Sequence, residues 1–218
     1  MKRNDINALV SILKKKTLHF RLPSVSQISQ DYKGPFFVLI SCLLSLRTKD
    51  KTTSEASFRL FRLAKNPSQM LTLTVREIEK AIYPVGFYHI KAKRIKEICK
   101  VLIEKFSSRV PDTLEALLNL KGVGRKTANL VLTEGFGKLG ICVDTHVHRI
   151  SNRLGLCETK TPEKTEFALR AKLPKKYWIE YNDLLVSFGQ HLCRPISPLC
   201  SQCPVRKYCD QIGVTVRR

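Results

Sequence analysis

Apolar positions recur at helical spacing along almost the whole chain. Ile6, Leu9, Val10, Ile12 and Leu13 fall on one side of a first predicted helix. Lys14–Lys16 follow at its C-terminal end, where cations complement the helix dipole. Gly34-Pro35 introduces the apolar run Phe36–Leu46, and Pro suits a first helical position. Leu46–Lys49 reads as a break before a helix over Asp50–Ala64. Thr74 and Glu77 have capping-box spacing ahead of a short helix that ends near Tyr83-Pro84, and Pro84–His89 reads as a loop. Ile95, Ile98, Cys99, Leu102, Ile103 and Phe106 then form a clean 3.6-residue stripe, with Lys91–Lys100 read as solvated charge on its outer face. Further helices are expected from Pro111 to Asn119, Arg125 to Glu134, Asp144 to Leu154, Pro162 to Leu173 and Tyr177 to His191. A tight turn at Leu120–Gly124 and a glycine-rich break at Gly135–Gly140 separate some of them. Ile141–Val143 is β-like but too short to build a sheet. The expected fold class is all-α, without repeats.

Length and charge narrow the function. A chain of 218 residues makes one domain or two small ones, and 43% hydrophobic content excludes wholesale disorder. The net charge of +21 is far from ordinary and points to a polyanionic partner, with nucleic acid ahead of an anionic membrane surface. Phe36–Leu46 is too short to cross a bilayer, which takes about twenty apolar residues. The N-terminal stretch with Lys2, Arg3 and Asp5 has too short an apolar core for a secretory leader. These features predict a soluble protein of a reducing, cytoplasmic and nucleoid-associated compartment, with no membrane partner. Eight cysteines in such a compartment are core residues, metal ligands or catalytic groups rather than disulfides.

The segment Leu117–Ala128 is the most informative. Gly122 and Gly124, two apart between apolar helices, permit a sharp turn with φ > 0 and close approach of another backbone. Val123 can anchor that turn in the core. The N–H groups of Gly122, Gly124 and Arg125 would open the next helix, where orphan donors and the dipole favour a phosphate. In a chain of this charge, the pattern reads as a helix–hairpin–helix clamp that grips nucleic-acid backbone without reading sequence. Lys126 lies in the first turn of the following helix, where the positive end of the dipole and Arg125 favour its neutral, nucleophilic form. Asp144, before Thr145–Leu154, suits a helix N-cap, and a capping carboxylate is rigidly held. A neutral amine and a fixed carboxylate beside a phosphate clamp suit chemistry at a sugar C1′. The amine would displace a base and form a Schiff base, while the carboxylate stabilises positive charge on the sugar.

Cys193, Cys200, Cys203 and Cys209 form C-x6-C-x2-C-x5-C, whereas Cys42, Cys99, Cys142 and Cys157 are scattered among apolar neighbours. Four clustered cysteines indicate a metal site. Only Cys200 and Cys203 are close, so the spacing suits an iron–sulfur cluster at least as well as zinc.

Taken together, LKGVGRKTANLVL at 120–132, VDTHVHRISNRLGL at 143–156 and the four-cysteine set resemble the endonuclease III family of helix–hairpin–helix DNA glycosylases, over about residues 5–210. The resemblance implies a bifunctional enzyme of base excision repair, which removes oxidised pyrimidines and then cleaves the strand by β-elimination. It makes Lys126 the Schiff-base nucleophile, Asp144 its carboxylate partner, and Cys193, Cys200, Cys203 and Cys209 the ligands of a [4Fe–4S] cluster. It implies two helical lobes flanking a DNA groove. Residues 28–139 would be a six-helix domain with its hairpin motif at about 113–134. Residues 1–27 and 140–218 would be a cluster domain with its loop at 193–209. Double-stranded DNA with damaged bases or abasic sites is the implied partner of a monomer. Arg47 and Phe87 occupy the family's wedge positions; Lys121, Gly122, Gly124, Arg125, His146 and Arg194 are further implied DNA contacts. The family commonly has Gln and Leu at the two wedge positions and Pro where Lys121 stands, and an Arg at 47 would favour a guanine edge. Two competing readings are a glycosylase for thymine or uracil opposite guanine, and a non-catalytic DNA-binding iron–sulfur module. Lys126 argues against the first, whose members generally lack a lysine there, and Lys126 together with Asp144 argues against the second.

Overall fold

The computed structural model describes residues 3–218; Met1 and Lys2, part of the stretch judged against a leader, lie outside them. Among the described residues there are twelve α-helices and no strand, and no helix is long and apolar enough to cross a membrane. The chain divides into two units, Met1–Leu22 with Leu139–Arg218, and Pro23–Lys138.

The unit formed by residues 23–138 contains α2 (Ser24–Asp31), α3 (Pro35–Ser45), α4 (Asp50–Leu63), α5 (Pro67–Thr72), α6 (Val75–Ile82), α7 (Tyr88–Phe106), α8 (Leu114–Leu118) and α9 (Arg125–Leu130). Six of these follow the hydrophobic pattern. α2 and α5 were missed, because two apolar residues in SVSQISQD and a six-residue PSQMLT give too little periodicity to register. α3 is apolar on nearly every side, as a central helix must be, and it packs against α2, α4, α7 and α9. Val38, Leu39, Ile40, Cys42 and Leu44 are fully buried there. The expected capping box is present: Glu77 N donates to the Thr74 hydroxyl at 3.2 Å and Thr74 N donates to Glu77 Oε2 at 2.7 Å. The carboxyl of Glu77 accepts from Thr74 N and, also at 2.7 Å, from the Thr74 hydroxyl, and these two bonds hold it below its ordinary range.

The reading of Lys91–Lys100 as solvated charge needs correction. Lys91 is only 8% exposed. It lies four residues before Ile95, on the apolar stripe itself, and its ammonium donates to Leu44 O at 2.8 Å and Leu46 O at 2.5 Å. Lys96 donates to Leu71 O at 2.8 Å and to Leu73 O. Arg59 donates in the same manner to Ala81 O at 2.8 Å and to Tyr83 O. In all three cases the acceptors are the penultimate helical residue and the C-cap residue, of α3, α5 and α6 respectively.

The other unit is built on α1 (Arg3–Thr17), α10 (Thr145–Arg153), α11 (Pro162–Lys172) and α12 (Tyr181–His191). Its core joins Leu9, Leu13, Val147, Ile150, Leu185 and Phe188. The last long helix begins at Tyr181 rather than Tyr177, because a 3₁₀ turn at Lys175–Tyr177 precedes it. Gly189 lets α12 approach α10 closely: a Cβ there would lie 2.4 Å from His146 Nδ1.

Replacing Lys96 with Met should lower stability by about 1–3 kcal/mol, since two helix-end carbonyls lose a charged donor. Lys100→Met, on the exposed face, should change it by less than about 0.5 kcal/mol. Urea denaturation of both variants measures the difference.

Candidate nucleic-acid interface and active site

In the 23–138 unit, α8 and α9 enclose the hairpin. Thr113 caps α8, accepting from Ala116 N at 3.3 Å. The turn closes with Val123 N donating to Leu120 O at 3.0 Å, and Val123 is buried. The two glycines differ. Gly122 has φ +85°, and a Cβ there would meet the Arg94 side chain at 3.3 Å. Gly124 is extended at φ −95°, and a Cβ there would meet nothing within 4 Å. The expectation of positive φ therefore holds for Gly122 alone. Gly124 leaves open space above the start of α9, where the first N–H groups lack intrahelical partners. Lys121 and Arg94 both pair with Glu97, at 3.8 and 2.9 Å, so α7 supports the hairpin from below.

Lys126 is half-buried in the first turn of α9. Its charge and that of Glu134 both act on the Cys42 thiol, whose pKa burial pushes up to about 12. α9 passes directly into a π-helical turn, Val131–Gly135, where a plain α-helix to Glu134 was expected. Pro35 makes the close packing there, since a Cβ on Gly135 would come within 2.8 Å of its Cα.

Arg47 and Phe87 come together. Arg47 lies in the α3–α4 connection and Phe87 just before α7, and the Arg47 guanidinium lies 4.9 Å from the Phe87 ring centre. Both are exposed, and both adopt left-handed backbone, φ 55° and 59°. Gly86 permits the approach: a Cβ on it would lie 2.7 Å from Arg47 O. Thr48 links the two loops, its hydroxyl accepting from Gly86 N and from Lys91 Nζ, each at 3.2 Å. Burial pulls the Lys91 ammonium down to about 8. Lys91, Thr48 and Gly86 were not singled out in the sequence. The available signal was a lysine in register with the apolar stripe of α7.

In the other unit, Asp144 is the N-cap of α10, with Oδ1 accepting from Val147 N at 2.8 Å. His146 Nδ1 lies 3.2 Å from Arg149 Nη2, which also donates to Cys193 O at 2.8 Å. Cys193, Cys200, Cys203 and Cys209 line one cavity, otherwise walled mainly by Ile150, Leu154, Phe188, Leu192 and Val205. Arg153 Nη1 lies 3.5 Å from Cys193 Sγ and 2.7 Å from Arg194 O, while the Arg194 residue is exposed. Burial pushes the Cys203 thiol up to about 11, and the other three thiols add to the effect. A metal must displace those protons, because thiolate is the ligand. Among the described residues no group of three or more His, Cys, Asp or Glu forms a ready single-ion site. Cys42, Cys99, Cys142 and Cys157 are buried core residues.

A helical repair-protein fold with a backbone-gripping hairpin is the class these features define, and comparison agrees. Residues 40–175 match the family model "HhH-GPD superfamily base excision DNA repair protein". The chain is 49% identical to an endonuclease III of Thermotoga maritima, over 81% of this chain and 83% of the relative. It also matches an Arabidopsis thaliana endonuclease III homolog at 43% identity, spanning about half (48%) of that longer protein. A solved structure of a trapped endonuclease III–DNA covalent intermediate superposes with a TM-score of 0.85 and 31% identity, covering 97% of each chain. A thermostable thymine-DNA glycosylase follows at 0.82 and 25%, covering 95% of this chain and 96% of that one. The chain belongs to the endonuclease III family, and with it to the DNA-binding base excision repair glycosylase/AP lyases.

Gly124→Ala should fold with a loss under about 1 kcal/mol, the N-cap difference between the two residues. Its added methyl points outward, so duplex-DNA affinity measured by fluorescence anisotropy should fall severalfold more than stability does. Equal affinity would show that nothing approaches Gly124.

Proposed function

We propose that the protein excises oxidised pyrimidines from double-stranded DNA and then cleaves the strand at the resulting abasic site. Lys126 Nζ attacks C1′, the N-glycosidic electrons leave with the base, and the base takes up a proton. Ring opening gives an imine between Lys126 and C1′. Loss of a C2′ proton then expels the 3′ phosphate, and water hydrolyses the imine to free the enzyme. Asp144 stabilises the positive charge that builds on the sugar and holds a proton in transit. The observation that carries this reading is the presence of Lys126 in the first turn after a Gly122/Gly124 hairpin, in a chain of the endonuclease III family. Lys121, Gly122, Gly124 and Arg125 would grip phosphate, with Arg47, Phe87, His146 and Arg194 as further DNA contacts, and the protein would act as a monomer inside the cell.

Cys193, Cys200, Cys203 and Cys209 fit a [4Fe–4S] cluster. They supply four soft donors to one largely apolar cavity, the chemistry that selects thiolate-bound metal. Such a cluster would fasten the loop that carries Arg194, Arg206 and Lys207; no step of the reaction passes through it.

Borohydride should trap the protein covalently on a duplex with an oxidised pyrimidine or abasic site, and Lys126→Gln should abolish trapping. Asn caps helices about as well as Asp. Asp144→Asn should therefore keep the fold and slow turnover by roughly 10²–10⁴-fold, the scale of a lost acid–base group. Trapping that survives Lys126→Gln would remove that residue as nucleophile. The purified protein should be brown, with about four irons per chain, and Cys203→Ser should bleach it. A colourless protein with one equivalent of zinc would refute the cluster.

A further inference from the structure

A left-handed backbone is costly for a non-glycine residue and persists only where its surroundings over-determine it. Arg47 and Phe87 both carry that cost, at the tips of two loops that touch. Neither tip is held by its own side chain in a core, since both side chains are exposed. The restraint comes from beneath. Lys91 Nζ is tied to Leu44 O and Leu46 O on one side of Arg47 and to Thr48 Oγ1 on the other. Three acceptors converge on one buried ammonium, which holds the backbone before residue 47 and the side chain of the residue after it. The same Thr48 oxygen accepts from Gly86 N, next to Phe87. Lys91 sits one turn into α7, and its own N–H donates to Phe87 O at 3.0 Å. One residue therefore reaches both tips, through its backbone to Phe87 and through its side chain to Arg47.

We infer that Lys91 is the positioning residue that presents Arg47 and Phe87 as one stacked pair to the base left unpaired opposite a lesion, with guanine the preferred base. The inference rests on the glycosylase reading above, in which those two residues contact DNA. The choice of base follows from chemistry: a guanidinium carries a fork of N–H donors, and that fork pairs with guanine O6 and N7. Without the Lys91 ammonium the Arg47 loop loses the donor that its carbonyls and the Thr48 hydroxyl share, its link through Thr48 to Gly86 slackens, and Arg47 and Phe87 no longer act as one pair.

The test uses the full chain and a duplex with a tetrahydrofuran abasic analogue opposite guanine or adenine, which binds without reacting. Fluorescence anisotropy should show tighter wild-type binding opposite guanine. Lys91→Met should weaken that complex by about tenfold, the scale of one charge-assisted hydrogen bond, and bring the guanine-to-adenine ratio towards one. Thr48→Val keeps both carbonyl bonds of Lys91 and removes the oxygen that Lys91 Nζ and Gly86 N share, so it should lower the ratio in a chain that still folds. On reactive abasic DNA, both variants should show a raised half-saturating concentration with the rate at saturation changed less than about twofold, since neither residue touches the reacting atoms. Should Lys91→Met not fold, Thr48→Val decides alone. A wild type without opposite-base preference, or variants that keep it, overturns the inference. Wild-type protein that shows the preference but is never trapped by borohydride would remove the lyase reading and leave the role of Lys91 intact.

Discussion

A helix that stops in extended backbone, without a left-handed residue to fold its last carbonyls back, must find donors for them elsewhere. α5 and α6 stop this way, with Leu73 and Tyr83 as extended C-caps; at α3 the left-handed Arg47 follows the extended cap Leu46 and folds Thr48 N back onto Ser45 O alone, while Leu44 O and Leu46 O accept from Lys91. A lysine or arginine from another helix completes each of them. The solution has a geometric consequence that a glycine cap would not. A glycine satisfies its own helix and says nothing about neighbours, whereas Lys91, Lys96 and Arg59 bind one helix end to another helix. The helix-to-helix arrangement of residues 23–138 is fixed as much by these polar ties as by the apolar core around α3.

α7 is the element on which most of them converge. It supplies Lys91 to the end of α3 and Lys96 to the end of α5. Through Arg94 and Glu97 it also supplies the surface on which Gly122 and Lys121 rest. The loop with Arg47, the loop with Phe87 and the hairpin thus share a single rigid support nineteen residues long. Loops placed on such a support can hold costly conformations at their tips, as Arg47 and Phe87 do.

Much of this was legible in the sequence. Periodicity gave six helices of the 23–138 unit, and local spacing gave the cap residues Thr74 and Asp144, because capping chemistry is local and leaves a local signature. The hairpin string and the four cysteines were legible for the same reason. What escaped were relations between distant segments. A lysine on a helix reads as solvent-facing until the carbonyls of Leu44 and Leu46 are known to lie beneath it. Gly189 reads as a flaw in a helix until α10 is packed against it. The register of Lys91 with Ile95, Ile98 and Leu102 was the one clue that a charge had been placed on the buried face. The two glycines of the hairpin look alike in the sequence, yet only Gly122 takes positive φ, while Gly124 is extended with open space beside it.

The choice of neutral acceptors matters for the charge with which the chain confronts DNA. A buried cation tied to a carboxylate adds nothing to the distant field, but one tied to carbonyl dipoles keeps its full charge. Arg59 and Lys96 are of the second kind, and Lys91, pulled down by burial to about 8, still carries most of its charge at neutral pH, so architecture is secured with little loss from the excess of 39 basic over 18 acidic residues. Lys121 and Lys138 do pair with carboxylates, yet these are exposed pairs that counter-ions and phosphates can exchange freely. Residues that hold helices together therefore also contribute to the long-range attraction for a polyanion, an attraction that must weaken as salt releases its advantage. In an all-α DNA-binding protein, a cation from a neighbouring helix does what a glycine cap cannot: it ties one helix end to another helix and keeps the field that attracts a polyanion.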